Sequence, residues 1–304
     1  MTPETLATGT QLTQVGISGL ALGALYGVIA LGFVIVYKAT RVINLAHGGI
    51  ALLGAYLTYN AHVTWGLPFW LSAVLAVLLC AVVSALAGRV LVNPLLGRDV
   101  HSTLMVTLGI LIALEAVSAS IWGTDQLNAD DPWKLSTLRL AGLSLTVRDL
   151  WVLGLAAAVL LLFFLFFRYS LLGTAMRATA FHREAALAQG IAPSRIGAVA
   201  WAIAGALGGL AGIMLGTTVG GGLQPGIASS ALVALSAIIV GGIDSAGGAV
   251  VGGIVIGVCQ QYAAAYAPAW AGQDVASVLP YLVMLIILMV RPTGLFGTAE
   301  VRRI

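Results

Sequence analysis

Apolar residues along this chain come in runs of about 20, the length that crosses a bilayer as a helix. Short stretches carrying most of the charges and prolines separate the runs. The pattern predicts helices over 12–37, 43–60, 69–92, 101–121, 149–167, 196–217, 229–242, 246–267 and 275–290. They are helices because a lone strand cannot satisfy its backbone in lipid. The period-two alternation of a membrane barrel is missing from the runs. The seventh run is short and leads into Gly241 and Gly242. It reads either as a re-entrant element or as part of one broken element with the eighth. The expected fold is an all-α integral membrane protein, a polytopic transmembrane helix bundle with eight or nine spans in one domain over residues 1–304.

Two connecting segments are longer than a tight turn. In the one over 122–149, LRLAGLSLTV alternates leucines with other residues around Ala141 and Gly142, which predicts a small β-hairpin at the membrane surface. The one over 168–195 reads RYSLLGTAMRATAFHREAALAQGIAPSR. Its Ala-rich part, 184–189, predicts a short helix. Gly190 suits the left-handed position after a helix end. Pro193 stops continuation, and Ser194 is placed to cap the next span. A helix with such small side chains is either a solvated linker or a docking element that fits closely against a cytoplasmic partner.

Composition sharpens this picture. Hydrophobic residues make up 60% and charged residues 8% of the chain, against roughly 25% charged in ordinary soluble domains. Mean hydropathy is +1.04. A soluble protein could not cover that much apolar surface. The pI near 9.0 and net charge of +3 do not indicate nucleic acid, because the basic residues punctuate the spans and form no continuous patch. With the N-terminus outside and nine spans, Lys38, Arg41, Arg89, Arg98, Arg168, Arg177, Arg183, Arg195, Arg291, Arg302 and Arg303 fall inside. Only Lys134, Arg139 and Arg148 then fall outside, with Glu4, Asp125, Asp130, Asp131, Asp149 and Asp274. Cys80 and Cys259 lie in apolar runs and read as small buried hydrophobes. The N-terminal segment lacks a basic n-region, so no removable signal peptide is expected.

A few positions inside the spans are unusual. RVINLAHGGIALLGAY, 41–56, places Asn44 and His47 on one helical face with Gly48, Ala51, Ala55 and Thr58. That face is either a close helix contact or the border of a solute path. Glu115 is the one acid well inside a span and requires a partner, water or a proton, with Thr107 and Ser118 on neighbouring turns. It is either structural or path-lining. Glycines at 19, 23 and 27, at 212, 216 and 220, and in the pairs 248/252 and 253/257 repeat every fourth residue, as close helix packing requires. Gln224 lies in a Gly-rich outer turn, 220–226, which either shapes a gate or is only a loop. The ending RPTGLFG stops a helix at Pro292, and Leu295 and Phe296 are expected to anchor at the membrane surface. Neither lysine, Lys38 nor Lys134, sits in a P-loop, so ATP would have to be used by another chain. No HExxH or GxSxG arrangement suggests an enzyme.

Four segments in order resemble the permease subunits of branched-chain amino-acid ABC importers, the LivH/LivM type, and LivH-like chains most. They are the stretch ending in NLAHGGIALLGAY, the loop GTAMRATAFHREAALAQGIAPSRI, the run IIVGGIDSAGGAVVGG and the ending RPTGLFG. Gly49, Glu115, Asp244 and Gly247 depart from the residues expected there. The resemblance implies no cofactor in this chain and ATP bound by partner subunits. It implies two cytoplasmic ATPases, a second homologous permease, a periplasmic or lipid-anchored solute-binding protein, and a bacterial cytoplasmic membrane. It assigns ATPase coupling to Arg183, Glu184, Ala185, Ala186, Leu187 and Gly190; the solute-path candidates Asn44, His47, Glu115 and Gln224 come from the span and turn positions themselves. Branched-chain or other hydrophobic amino acids are the implied cargo, with urea or a short amide as the alternative. A stand-alone secondary transporter is the competing class.

Overall fold

The computed structural model describes residues 3–95, 100–130, 132–133, 136–140, 143–181, 183–217, 222–267 and 275–297. Gly220, the Ala141 and Gly142 turn, and Arg98, Asp131, Lys134, Asp274, Arg302 and Arg303 lie outside the described residues. Eleven α-helices are described: α1 Pro3–Thr40, α2 His47–Tyr59, α3 Phe69–Ala87, α4 Val100–Trp122, α5 Val147–Tyr169, α6 Leu171–Phe181, α7 Arg183–Ala188, α8 Pro193–Gly216, α9 Ser230–Gly241, α10 Ala246–Tyr266 and α11 Val275–Val290. Strands β1 Thr137–Leu140 and β2 Leu143–Thr146 pair antiparallel, Thr137 opposite Thr146, as the leucine alternation predicts. Wide π-helical turns extend α2 over Asn60–Thr64 and α3 over Gly88–Val92. Among the described residues, six helices are long and apolar enough to cross a membrane, and two further apolar segments, Pro225–Gly241 and Val275–Val290, are shorter. Leu78, Ile112, Leu161, Leu162, Ile121 and Met289 are exposed along their helices, as lipid-facing side chains would be.

Most apolar runs coincide with helices, with three corrections. The second helix begins at His47, not at residue 43: the chain leaves α1 through Arg41 in a left-handed conformation, φ 59°, and turns before α2 starts. Asn44 therefore precedes the helix, and the predicted common face with His47 does not include it. α8 starts from Ala192 with Pro193 at its first turn, so Ser194 is not the cap. The fixed φ of proline suits that position and its missing N–H costs nothing there. Third, 171–181 is helical. Its buried residues Gly173, Met176 and Thr179 recur at one-turn spacing, a pattern hidden by the mixed polarity of the segment.

The chain forms two compact units. The first comprises 1–30, 133–159 and 233–304. Here α1 packs on α10 with almost no side chain between them: Gly23 approaches Gly253 and Ile254, and Gly257 approaches Gly23. α10 packs equally closely on α9, where Gly252 meets Ala237 and Gly248 meets Gly241. The seventh and eighth runs are thus two helices in a tight hairpin, with Ser245 capping α10 by accepting from the Gly248 N–H at 3.0 Å. The RPTGLFG ending turns at Gly294, φ 80°, and pairs backbone to backbone with α9. Leu295 and Phe296 donate to the carbonyls of Val240 and Gly241 at 2.8 and 3.0 Å. Its backbone satisfies carbonyls left open at a helix end, and the Phe296 side chain remains exposed.

The second unit comprises 31–132 and 160–232. Its centre is α2, which packs on α3, α4 and α8. Gly54 faces Gly209 and Gly212 faces the backbone of Ala51, so α2 and α8 touch main chain to main chain. Cys80 is buried and free, its thiol 3.6 Å from the Ile50 carbonyl.

Candidate functional site

All the singled-out polar positions, Asn44, His47, Glu115 and Gln224, and the 183–190 helix fall in the second unit. They form three separate places. At the first, Asn44 and His47 are both fully buried. The His47 ring stands edge-on to Phe33, centroids 4.8 Å apart. Side chains at Gly32 of α1 and Gly208 of α8 would overlap the imidazole. The ring is thus held between two helices by the absence of side chains on either. Asn44 is held less well: neither atom of its side-chain amide has a hydrogen-bond partner among the described residues. A buried polar atom left so costs about 1–3 kcal/mol. Such a group is normally explained by water or a ligand.

At the second place, the far end of α2, Tyr56 stacks on Trp122 of α4 with centroids 5.0 Å apart and ring planes 13° from parallel. The Tyr56 hydroxyl, the Trp122 indole nitrogen and the Ser118 hydroxyl are buried without partners among the described residues. Nearby, Leu127 and Leu223 exchange two backbone hydrogen bonds at 3.0 and 2.9 Å. The two ring nitrogens of His62 face the carbonyls of Leu67 and Asp130 at 2.7 and 3.2 Å. Those contacts fasten the segment that follows Trp122. Gln224 is exposed in the turn next to Leu223, and Glu115 is half-buried on α4. Thr107 bonds its own helix at Leu104 and does not reach Glu115.

The third place is α6 and α7. Ala186 is buried, whereas Glu184, Ala185, Leu187 and Gly190 are exposed. Gly190 has φ 80°. Its N–H donates to Leu187 and that of Ile191 to Ala186, at 2.9 and 3.0 Å. That pair of bonds is the Schellman stop, which needs a left-handed residue at Gly190. The backbone of Arg183 opens α7. α6 is tied at both ends by arginines. Arg177 donates to the carbonyls of Phe167 and Arg168 at the end of α5, where a cation also complements the helix dipole. Arg41 donates to the Ala180 carbonyl at 3.1 Å, at the end of α6. Arg41 therefore joins the turn that carries Asn44 to the helix that leads into α7.

Sequence reasoning missed Tyr56, Trp122 and the two helix-end arginines. Aromatic residues in an apolar run look like packing. An arginine at a span end looks like an orientation signal. Only the missing partners of the first pair and the carbonyl contacts of the second separate them from those ordinary roles.

The sequence profile of the family described as "Branched-chain amino acid transport system / permease component" matches residues 16–288. LivH of Salmonella typhimurium, a high-affinity branched-chain amino acid transport system permease protein, is 27% identical over 302 residues, covering 94% of this chain and 96% of that one. LivH of Escherichia coli has the same identity and coverage. BraD of Pseudomonas aeruginosa, which bears the same description, is 28% identical over 304 residues, 95% of this chain and 96% of its own. A chain of PsaBC from Streptococcus pneumoniae, solved in complex with Fab, has a TM-score of 0.50 at 16% identity and covers 93% of each chain. That likeness speaks to the fold alone.

Proposed function

Because the chain belongs to the family of branched-chain amino acid transport system permease components, we propose that it is the membrane subunit of an ATP-driven importer for branched-chain or other hydrophobic amino acids. The observation that carries the reading is the extent of the match, which runs over residues 16–288. It takes in the buried Asn44 and His47, the 183–190 segment and both compact units. Two cytoplasmic ATPases supply the energy. A second homologous permease completes the membrane part, and a solute-binding protein delivers cargo.

In this mechanism α7 is the docking helix. Glu184, Ala185 and Leu187 are its exposed surface for the ATPase, Arg183 opens it, and Gly190 makes its end abrupt. Movement of α7 reaches α8 through buried Ala186 and reaches the Asn44 turn through α6 and Arg41. The pathway is lined by Asn44 and His47 at one end of α2, and by Glu115 and Gln224 elsewhere in the same unit. The fully buried, unpartnered Asn44 amide supports the first assignment, since hydrogen bonds to water or solute on opening would meet its need. The basic residues at the ends of α1 and α5, Lys38 and Arg168, support an inside location for that end of the unit.

The test is purification of the tagged chain from its native membrane in mild detergent, followed by reconstitution with labelled L-leucine. Co-purification of two ATPases and a second permease, with uptake that requires ATP, is expected. Uptake by the chain alone without ATP would replace the reading with a secondary transporter. Uptake of urea but not leucine would change the cargo.

A further inference from the structure

Hydroxyl groups on an apolar helix can bond back to their own turn. Thr107 bonds back to Leu104 and Ser120 to Val117, both at 2.9 Å. Ser118 does not, although it is 1% exposed. One turn later on the same face the Trp122 N–H is also buried and unpartnered, and the Tyr56 hydroxyl stacked against it makes a third such group. Chance neglect of one group is ordinary in a native protein; three on adjoining side chains call for an explanation. All three can donate, and the indole N–H can only donate. No cation belongs to the set. A cluster of neutral donors in an apolar wall suits an oxygen anion that arrives with its own counter-charge.

That counter-charge has a place. Glu115 lies three residues before Ser118, so its carboxylate is one helical turn away, at the edge of the same face. The wall between α2 and α4 is apolar, with Gly49 against Leu111 and Leu114. We propose that Tyr56, Ser118 and Trp122 bind the carboxylate, and Glu115 the ammonium, of a zwitterionic α-amino acid. Its aliphatic side chain would lie toward Leu114, one turn before Ser118 on α4. The site is closed in this structure, the two rings stacked on each other. It is distinct from the Asn44 turn, because Tyr56 is nine residues beyond His47, roughly 13 Å along the helix. The fastened segment after Trp122 gives it a cover, held by the Leu127 and Leu223 pair. The assignment rests on the amino-acid reading above.

The experiment uses the complete reconstituted importer with its solute-binding protein. L-leucine is the substrate. Two competitors each lack one end: 3-methylbutylamine has no carboxylate and 4-methylpentanoate has no ammonium. Tyr56→Phe combined with Ser118→Ala is expected to raise the leucine KM by about tenfold, the effect of losing one to two hydrogen bonds. It should weaken inhibition by 4-methylpentanoate and leave 3-methylbutylamine unaffected. Glu115→Gln should show the opposite pattern. Ser120→Ala, on the same helix but bonded to Val117, should match wild type. If the double variant does not assemble, Tyr56→Phe alone, which removes a single oxygen, carries the same test. A KM within twofold of wild type, or equal losses for both competitors in every variant, overturns the site. A wild-type importer that moves no leucine overturns the cargo reading itself and the site with it, and is seen before any variant is made.

Discussion

The two compact units treat buried polar groups differently. In the first, most are paired, with Arg148 Nε the exception among the described residues. Tyr26 donates to Gln260 at 2.8 Å. Asp149 accepts from Ser18 at 2.8 Å and from Arg148 at 2.9 Å. In the second, Asn44, Tyr56, Ser118, Trp122 and Trp201 carry buried atoms with no partner among the described residues. Both units use glycine to bring helices to backbone contact, so close packing does not distinguish them. The difference is one of degree: among the described residues the first unit leaves one buried side-chain atom unpaired and the second leaves several.

Substitutions can test that contrast, beginning with the feature both units share. Gly212→Val in the second unit and Gly257→Val in the first would each drive a side chain into backbone, at Ala51 and at Gly23. Nothing flexible is there to give way, so overpacking costs of at least ~3 kcal/mol are expected. Both variants should be lost from the membrane fraction or elute as aggregates in detergent gel filtration. Survival of either would mean that the helices separate more easily than their contacts imply.

The next effect falls on transport. Asn44→Ala removes two unpartnered atoms and should leave the unfolding temperature within a degree or two. Leucine uptake should fall by about tenfold, the loss of roughly one good hydrogen bond to solute or water. Uptake at the wild-type level would remove Asn44 from the pathway and leave its burial as packing.

A matched pair of tyrosines gives the most direct comparison. Tyr26→Phe leaves the Gln260 oxygen without its donor and should cost about 1 kcal/mol. Tyr56→Phe removes a hydroxyl that has no partner and should be neutral or mildly stabilising. Thermal unfolding in one detergent reads both. Equal destabilisation would erase the distinction between the units. A similarly small effect is expected at Gly190, where nothing lies within 4 Å of an added side chain. Gly190→Ala then meets only the left-handed strain of about 1 kcal/mol, and Gly190→Asn less. Each should loosen the end of α7 and lower transport per ATP before it lowers stability.

The helical frame was legible because bilayer-length runs carry their own boundaries. The ninth run, 275–290, coincides with α11, and the helix and stop over 183–190 followed from alanine propensity and one glycine. Legibility ended where tertiary contact overrides local pattern. The apolar spacing of 43–60 suggested a helix from its first residue, but the left-handed Arg41, held to Ala180, delays it to His47. Around Leu295, nothing local says that the backbone N–H groups of the tail find α9. Within the site, sequence could nominate Asn44 and Glu115 as polar residues out of place. It could not nominate Tyr56 or Trp122, whose significance lies in bonds they do not make.

The glycine contact between α1 and α10 bears on how the chain is made. Gly23 leaves the ribosome more than two hundred residues before Gly257, yet each is the other's packing surface. The first helix must therefore wait in the bilayer, its glycine groove covered by lipid or by an insertion factor. In a pulse-chase experiment, protease resistance around α1 should appear only after α10 has been inserted. Stop codons placed before Ala246 should yield chains that reach the membrane and are then degraded.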